Sequence, residues 1–254
     1  DNTDPQNVSV GNPGLKPSFT NNFRFFYNTF RQKYYQSLMT FVNFSTTRNG
    51  IGNSVYYNSV TGARTVKPVN VNGNWNANAA LMFNTSLDSA GIWNINTFTT
   101  GSFNRYASYL QLKNMEAMEK NITNSSTIGE RLSASYRNNW LEVELDGSAN
   151  YTHTKNNLQA ANNLNTWQFA YGANVNVTLP WNMSISTDLH EQSRRGYSDA
   201  SLNTNELLWN AQISQSMLRG NALTLSVQFY DILHQQSNLT RSINAMSRTD
   251  TEYN

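Results

Sequence analysis

The chain contains no cysteine, which excludes a disulfide framework, thiolate catalysis and cysteine-ligated metal. Charged residues are scarce as well, at 13% of its 254 residues, against roughly 25% in ordinary soluble domains. The few charges nearly cancel to +2 and the cations are scattered, so nucleic acid is not an expected partner. No apolar run reaches the roughly 18 residues that a spanning helix needs. Hydrophobic residues are only 38% of the chain, so the missing charges were not exchanged for a larger core.

Asparagine fills the gap, occurring forty times, together with serine and threonine. Such a composition suits a disordered polar tract. However, 12% of the residues are aromatic, and their order is regular, which a disordered chain has no reason to maintain. Residues 166–189, TWQFAYGANVNVTLPWNMSISTDL, show that order. Trp167, Phe169, Tyr171, Ala173, Val175, Val177 and Leu179 occupy odd positions, with Gln168, Ala170, Gly172, Asn174, Asn176 and Thr178 between them. After Pro180 the alternation resumes with Trp181, Met183 and Ile185. A period of two is a β-hairpin with one apolar and one polar face. No charge occurs from Asn156 through Thr187, so the polar face is wet without being charged.

Tight turns near Gln32–Lys33, Asp88–Ser89, Asn138–Asn139, Pro180 and Arg219–Gly220 each join two such segments. The pairs are 19–30 with 34–47, 74–86 with 91–104, 127–137 with 140–152, the hairpin around Pro180, and 204–218 with 221–235. The other connections, 48–73, 105–126, 153–165 and 194–203, are long and polar, and another begins near 236. The first carries a projecting hairpin around Thr61–Gly62; the second holds a mildly helical stretch, LQLKNMEAMEK. Short turns at one end and long loops at the other are the signature of an outer-membrane barrel. One face then meets lipid, where Arg or Lys at mid-depth costs about 2–4 kcal/mol, and the other an aqueous or protein-filled lumen.

On this reading Trp167, Phe169, Val175, Val177, Leu223, Leu225 and Val227 lie on the convex lipid face. Gln168, Asn174, Asn176, Thr224 and Ser226 face the lumen, as do Glu142, Glu144 and Asp146. Trp93, Trp140 and Trp181 follow short turns and Tyr136 precedes one, where a periplasmic aromatic girdle belongs. The competing arrangement is a β-sandwich with these aromatics in its core.

Chemistry-bearing residues are few. The histidines are His153, His190 and His234; Asp188 and His190 share a strand face, but no GxSxG elbow accompanies them. No two histidines share a ligand spacing. Catalysis, a cofactor and a metal are therefore not expected, and no ligand-binding residue is identifiable. Ser193–Tyr197 (SRRGY) is an anionic-ligand candidate, weighed against a solvated loop, and MEAMEK (115–120) is expected to be a solvated loop face.

Two stretches carry a family resemblance. GNPGLKPSFTNNF (11–23) resembles the NPxLKPE segment of TonB-dependent receptor barrels, with Ser18 in place of the acidic residue and Gly14 in place of Asp or Asn. SRRGYSDASLNTNELLWNAQISQSMLRG (193–220) and LTLSVQFYDILHQQSNLTRSINAMSRTDTEYN (223–254) are similar to the outer membrane β-barrel family of Bacteroidota, which is TonB-dependent receptor-like. The resemblance implies a barrel preceded by a regulatory domain and a plug-like region, inserted by the barrel-assembly machinery and coupled to a TonB system. It also implies a closing strand ending in an aromatic residue.

The chain begins at Asp1 without a signal peptide and ends in a polar stretch, and it is read as a fragment lacking plug and final strands. The expected fold is thus an all-β, antiparallel up-and-down transmembrane barrel, forming one partial domain over 1–254. About eleven strands, each paired with its sequence neighbours, would make an open half-barrel, since plugged transporters have 22. The expected location is the bacterial outer membrane. The expected function is receptor or transporter for an unidentified solute, the alternatives being a structural or adhesive barrel and a soluble secreted binding protein.

Overall fold

The computed structural model describes residues 6–58, 60–111, 117–235, 239–243 and 248–252. The expected hairpins form with boundaries close to those read from the alternation. They are β2 (Phe19–Arg31) with β3 (Gln36–Arg48), β6 (Asn74–Ser86) with β7 (Trp93–Gln111), β8 (Glu119–Arg137) with β9 (Leu141–Asn156), β10 (Leu164–Leu179) with β11 (Met183–Arg195), and β12 (Asn205–Met217) with β13 (Leu223–Phe229). These ten strands pair antiparallel in one continuous sheet. The sheet does not close: among the described residues, β2 and β13 are unpaired on their outer edges.

The strand count and the pairing rule need correction. The main sheet has thirteen strands rather than about eleven, and three of its pairings join strands that are not sequence neighbours. The projecting hairpin in 48–73, β4 (Gly50–Tyr57) with β5 (Arg64–Val71), stands between β3 and β6 in sequence but not in the ladder. β3 bonds β6 directly, while β4 runs parallel to the far end of β7, Ser54 opposite Tyr109. The hairpin therefore continues the wall above β6, where β7 and β8 outgrow it. A short β1 (Asn7–Ser9) adds in parallel to β5, Asn7 opposite Arg64. The NPGLKP segment then packs along β5: Asn12 Nδ2 donates to Pro68 O at 2.8 Å, and the Lys16 backbone exchanges hydrogen bonds with the Asn70 side chain.

The connection 105–126 is shorter than expected because strand continues to Gln111 and resumes at Glu119; residues 112–116 of the mildly helical stretch lie outside the described residues. Strand β13 ends at Phe229, short of the expected 235, where Asp231 enters a turn with φ 45°. A separate two-stranded sheet, β14 (Leu239–Ile243) with β15 (Arg248–Glu252), follows.

Burial is inverted relative to a water-soluble domain. Among the described residues only Val71, Ala107, Leu110 and Leu202 are buried hydrophobics, whereas the buried polar side chains include Ser45, Ser86, Asn121, Thr123, Thr154, Asn156 and Thr166. All seven share the parity of Asn174 and Glu144, so the polar face is the crowded one, as the inner side of a curved sheet must be. The other parity is open: Ile128 is 63% exposed and Leu145 57%. The expected lipid-facing residues all fall on it, Val175 standing opposite Val143 and Val227 opposite Ile213. A second layer covering these side chains, as in a sandwich, is not present among the described residues.

Aromatic rings mark two levels on the apolar face. Near the short turns lie Trp93, packed on Tyr136 with centroids 4.7 Å apart, and the exposed Trp140 and Trp181. A second belt, not anticipated from sequence, crosses four strands as Phe23, Phe44, Trp75 and Phe103, the last two stacked at 4.5 Å. It reappears as Tyr151, Trp167 and Phe169. At about 3.3 Å per residue and a tilt near 40°, the levels stand roughly 25–35 Å apart. That brackets the roughly 30 Å thickness of a bilayer's hydrocarbon core.

The turns are made by their own polar residues. Asn138 Oδ1 accepts from the backbone of Trp140 at 3.0 Å and Leu141 at 2.8 Å. Asp88 accepts from Trp93 N at 2.9 Å and Ile92 N at 3.1 Å. The Trp93 hydrogen bond chiefly holds the Asp88 carboxyl below its ordinary value.

Two outcomes follow. Val175→Arg should cost about 2–4 kcal/mol in a bilayer-refolding titration, because it places a guanidinium in hydrocarbon. Asn174→Arg, one residue away, should cost much less, since its register partners are Glu144 and Asp188. Equal small losses would refute the lipid assignment. The second concerns Asp88: a depressed carboxyl contributes stability that is present above its unfolded value of about 3.9 and is lost as pH falls through the lower folded value. Refolding curves of Asp88→Asn should lack this acid-dependent component.

Candidate functional site: the polar wall

Strand register decides what the polar face presents. Glu144 and Asp188 are both opposite Asn174, so Ser135, Glu144, Asn174, Asp188 and Asn210 make one row across five strands. One pleat further from the short turns, Asp146, Gly172 and His190 make the next. Nearer the turns, Arg137 is opposite Glu142 and hydrogen-bonds it. The three carboxylates expected to face the lumen thus do so, with two arginines beside them.

The central feature is His190. Its imidazole lies flat across Gly172, where an added Cβ would overlap the ring. A side chain at 172 is incompatible with this pose, and glycine is the one residue that permits it. From there Nδ1 stands 3.8 Å from Asp146 Oδ1, and Nε2 is 3.2 Å from Asn174 Oδ1. Arg131 approaches the other oxygen of Asp146, also at 3.8 Å. Both separations exceed hydrogen-bonding distance. Asp146 is 9% exposed, and its Oδ1 is buried with no hydrogen-bond partner. Asp188 shares the face of His190 as expected but is bonded elsewhere, by Asn210 Nδ2 at 2.8 Å.

The polar wall is not polar throughout, which the alternation had not indicated. On β2, β3, β6 and β7 its parity carries Phe26 opposite Phe41, Met39 opposite Met82, and Met82 opposite Phe98, all exposed. Phe98 in turn is opposite Arg131, so an apolar patch adjoins the charged rows directly. The apolar face has its own exceptions. Glu130 lies there between Ile128 and Leu132 and accepts from Thr99 Oγ1 at 2.5 Å; Glu191 accepts from Tyr171 and Ser193 hydroxyls. A hydroxyl partner on each spares the carboxylate from meeting lipid without a hydrogen bond.

The remaining sequence candidates disperse. Arg195 lines a cleft of about 610 Å³ with His153 and Tyr197, but its guanidinium donates to the carbonyls of Arg194 and Thr204 and to Asn205 Oδ1. It holds the loop together, which weighs against the anionic-ligand reading of SRRGY. In MEAMEK, Met118 Sδ accepts from Ser54 Oγ at 2.9 Å and Lys120 Nζ donates to Asn72 O at 2.6 Å. This end of the stretch braces the β4–β5 hairpin while Ala117, Met118 and Glu119 stay exposed, as expected of a solvated face; residues 115 and 116 lie outside the described residues. His234 sits in the turn after β13, its backbone donating to Asp231.

An apolar girdled outer face, a polar inner face and short turns at one end define a membrane-spanning β-barrel wall. The chain matches the outer membrane protein beta-barrel family over residues 1–117 and 111–254, and it belongs to that family. Its location is accordingly the bacterial outer membrane, with membrane lipid as its surroundings. No curated protein and no solved structure matches it.

Gly172→Val tests the imidazole seat. The fold should persist, since valine suits a strand, while His190 is forced off the wall. Diethylpyrocarbonate should then modify His190 faster than in the parent protein, with His234 as internal reference. An unchanged rate would mean that the ring does not rest on residue 172.

Proposed function

We propose that this barrel wall belongs to a receptor-like protein that admits a solute through a lumen occupied by a plug-like domain. The observation that carries the reading is the apolar patch of Phe26, Met39, Phe41, Met82 and Phe98 on the lumen side. A water-filled pore gains nothing from exposed phenylalanine and methionine, whereas a protein domain seated against them buries that surface at about 25 cal/mol per Å². TonB coupling and receptor-type uptake come from the resemblance of the NPGLKP segment and the C-terminal strands to TonB-dependent receptors of Bacteroidota. No catalytic step is part of this function.

A second reading, surface binding without transport, is favoured by the upper wall. There the β4–β5 hairpin and the ends of β7 and β8 extend beyond the aromatic belt. Planar-bilayer recordings on the full-length protein separate the two. A plugged receptor should be closed, and replacing Phe26 and Phe98 with glutamate should produce measurable conductance by loosening the plug. A full-length protein that is already open, or whose conductance ignores both substitutions, would refute the plugged-lumen reading.

A further inference from the structure

The geometry points to a cation site on the lumenal wall, formed by Glu144, Asp146 and Asp188, that takes an ammonium or guanidinium group of the solute. It rests on the reading that solute meets this lumen. Glu144 makes no hydrogen bond among the described residues, and Arg137, whose charge it feels, is bonded to Glu142. Asp188 stands on the same row, two strands away, so the two carboxylates are carried on backbones about 10 Å apart with Asn174 between them. The independent observation is Asp146, one pleat above: nine-tenths buried, with an oxygen that no donor satisfies. An acceptor in that condition carries a desolvation cost that a donor would relieve.

His190 governs access to Asp146. The ring stands against it from the seat over Gly172, yet it remains 40% exposed, and its one side-chain hydrogen bond among the described residues is to Asn174. Rotating it into the lumen uncovers Asp146 and leaves the space above Gly172 for an incoming group. The local charge selects the sign of that group. Glu142, Glu144, Asp146 and Asp188 outnumber Arg131 and Arg137 by two, and Glu206 and Arg194, higher on the same face, cancel each other. The spacing selects its kind: metal coordination needs oxygens converging at about 2–2.6 Å, and among the described residues no such group of His, Asp and Glu occurs. An organic cation with several N–H donors spans the distance that a metal ion cannot.

Isothermal titration of spermidine into the full-length protein in detergent, at low ionic strength, tests the site. Glu144→Gln and Asp188→Asn should each weaken binding about tenfold, as loss of a charged hydrogen bond does. His190→Ala should tighten it by removing the cover. Glu191→Gln, an equal charge change on the opposite face, should leave it unaltered. Absence of spermidine binding by the parent protein, an equal loss in Glu191→Gln, or weaker binding in His190→Ala would overturn the proposal. Spermidine binding by a protein that passes no solute in liposome efflux would refute passage and leave the site standing; efflux without spermidine binding would do the reverse.

Discussion

A backbone that enters hydrocarbon must satisfy each N–H and C=O within the protein, and only a continuous ladder of paired strands does so here. The ten antiparallel strands form that ladder. The rest of the molecule depends on it because pairing fixes register, and register assigns side chains to faces with a period of two. A slip of one residue on β10 would move Val175 into the lumen and Asn174 into lipid. The long uncharged stretch from Asn156 to Thr187 is tolerable for this reason. Its amides and hydroxyls serve the wet face, and the apolar residues of β10 other than Leu164 and Ala170 reach the other side.

The same ladder builds the charged wall. Asp146, Gly172 and His190 are far apart in sequence, and each is an ordinary residue alone. Pairing of β9 with β10 and of β10 with β11 puts them in one row, and the absent side chain at Gly172 lets the imidazole cross it. Beside that row, the patch around Phe98 gives the lumen two chemically distinct halves. One suits a packed protein surface, the other a positively charged solute group. The sheet can hold both because inward side chains are constrained only by their neighbours on that face.

The apolar face tolerates polar groups under a different condition. Glu130 and Glu191 each have a hydroxyl partner, and the Trp209 indole donates to Thr187 Oγ1 at 2.8 Å. Hydrogen bonds between neighbouring strands thus do locally what water does elsewhere. Above the upper aromatic belt the constraint lifts. There the parallel contacts of β4 with β7 and β1 with β5 replace the meander, since backbone groups that reach water need no particular neighbour.

Much of this was legible in the sequence. Alternation, short turns at one end and the shortage of charge determined strand positions, the two faces and the lower aromatic level, because each is a local property with a period of two. The parity of Glu142, Glu144 and Asp146 was readable for the same reason. Sequence could not show that β3 bonds β6 across an intervening hairpin, that Phe44, Trp75 and Phe103 align into a belt, or that His190 reaches Asp146 over Gly172. Those facts depend on which strand lies beside which and in what register. Alternation within one strand says which face a residue takes but not what stands next to it; only the assembled ladder decides that.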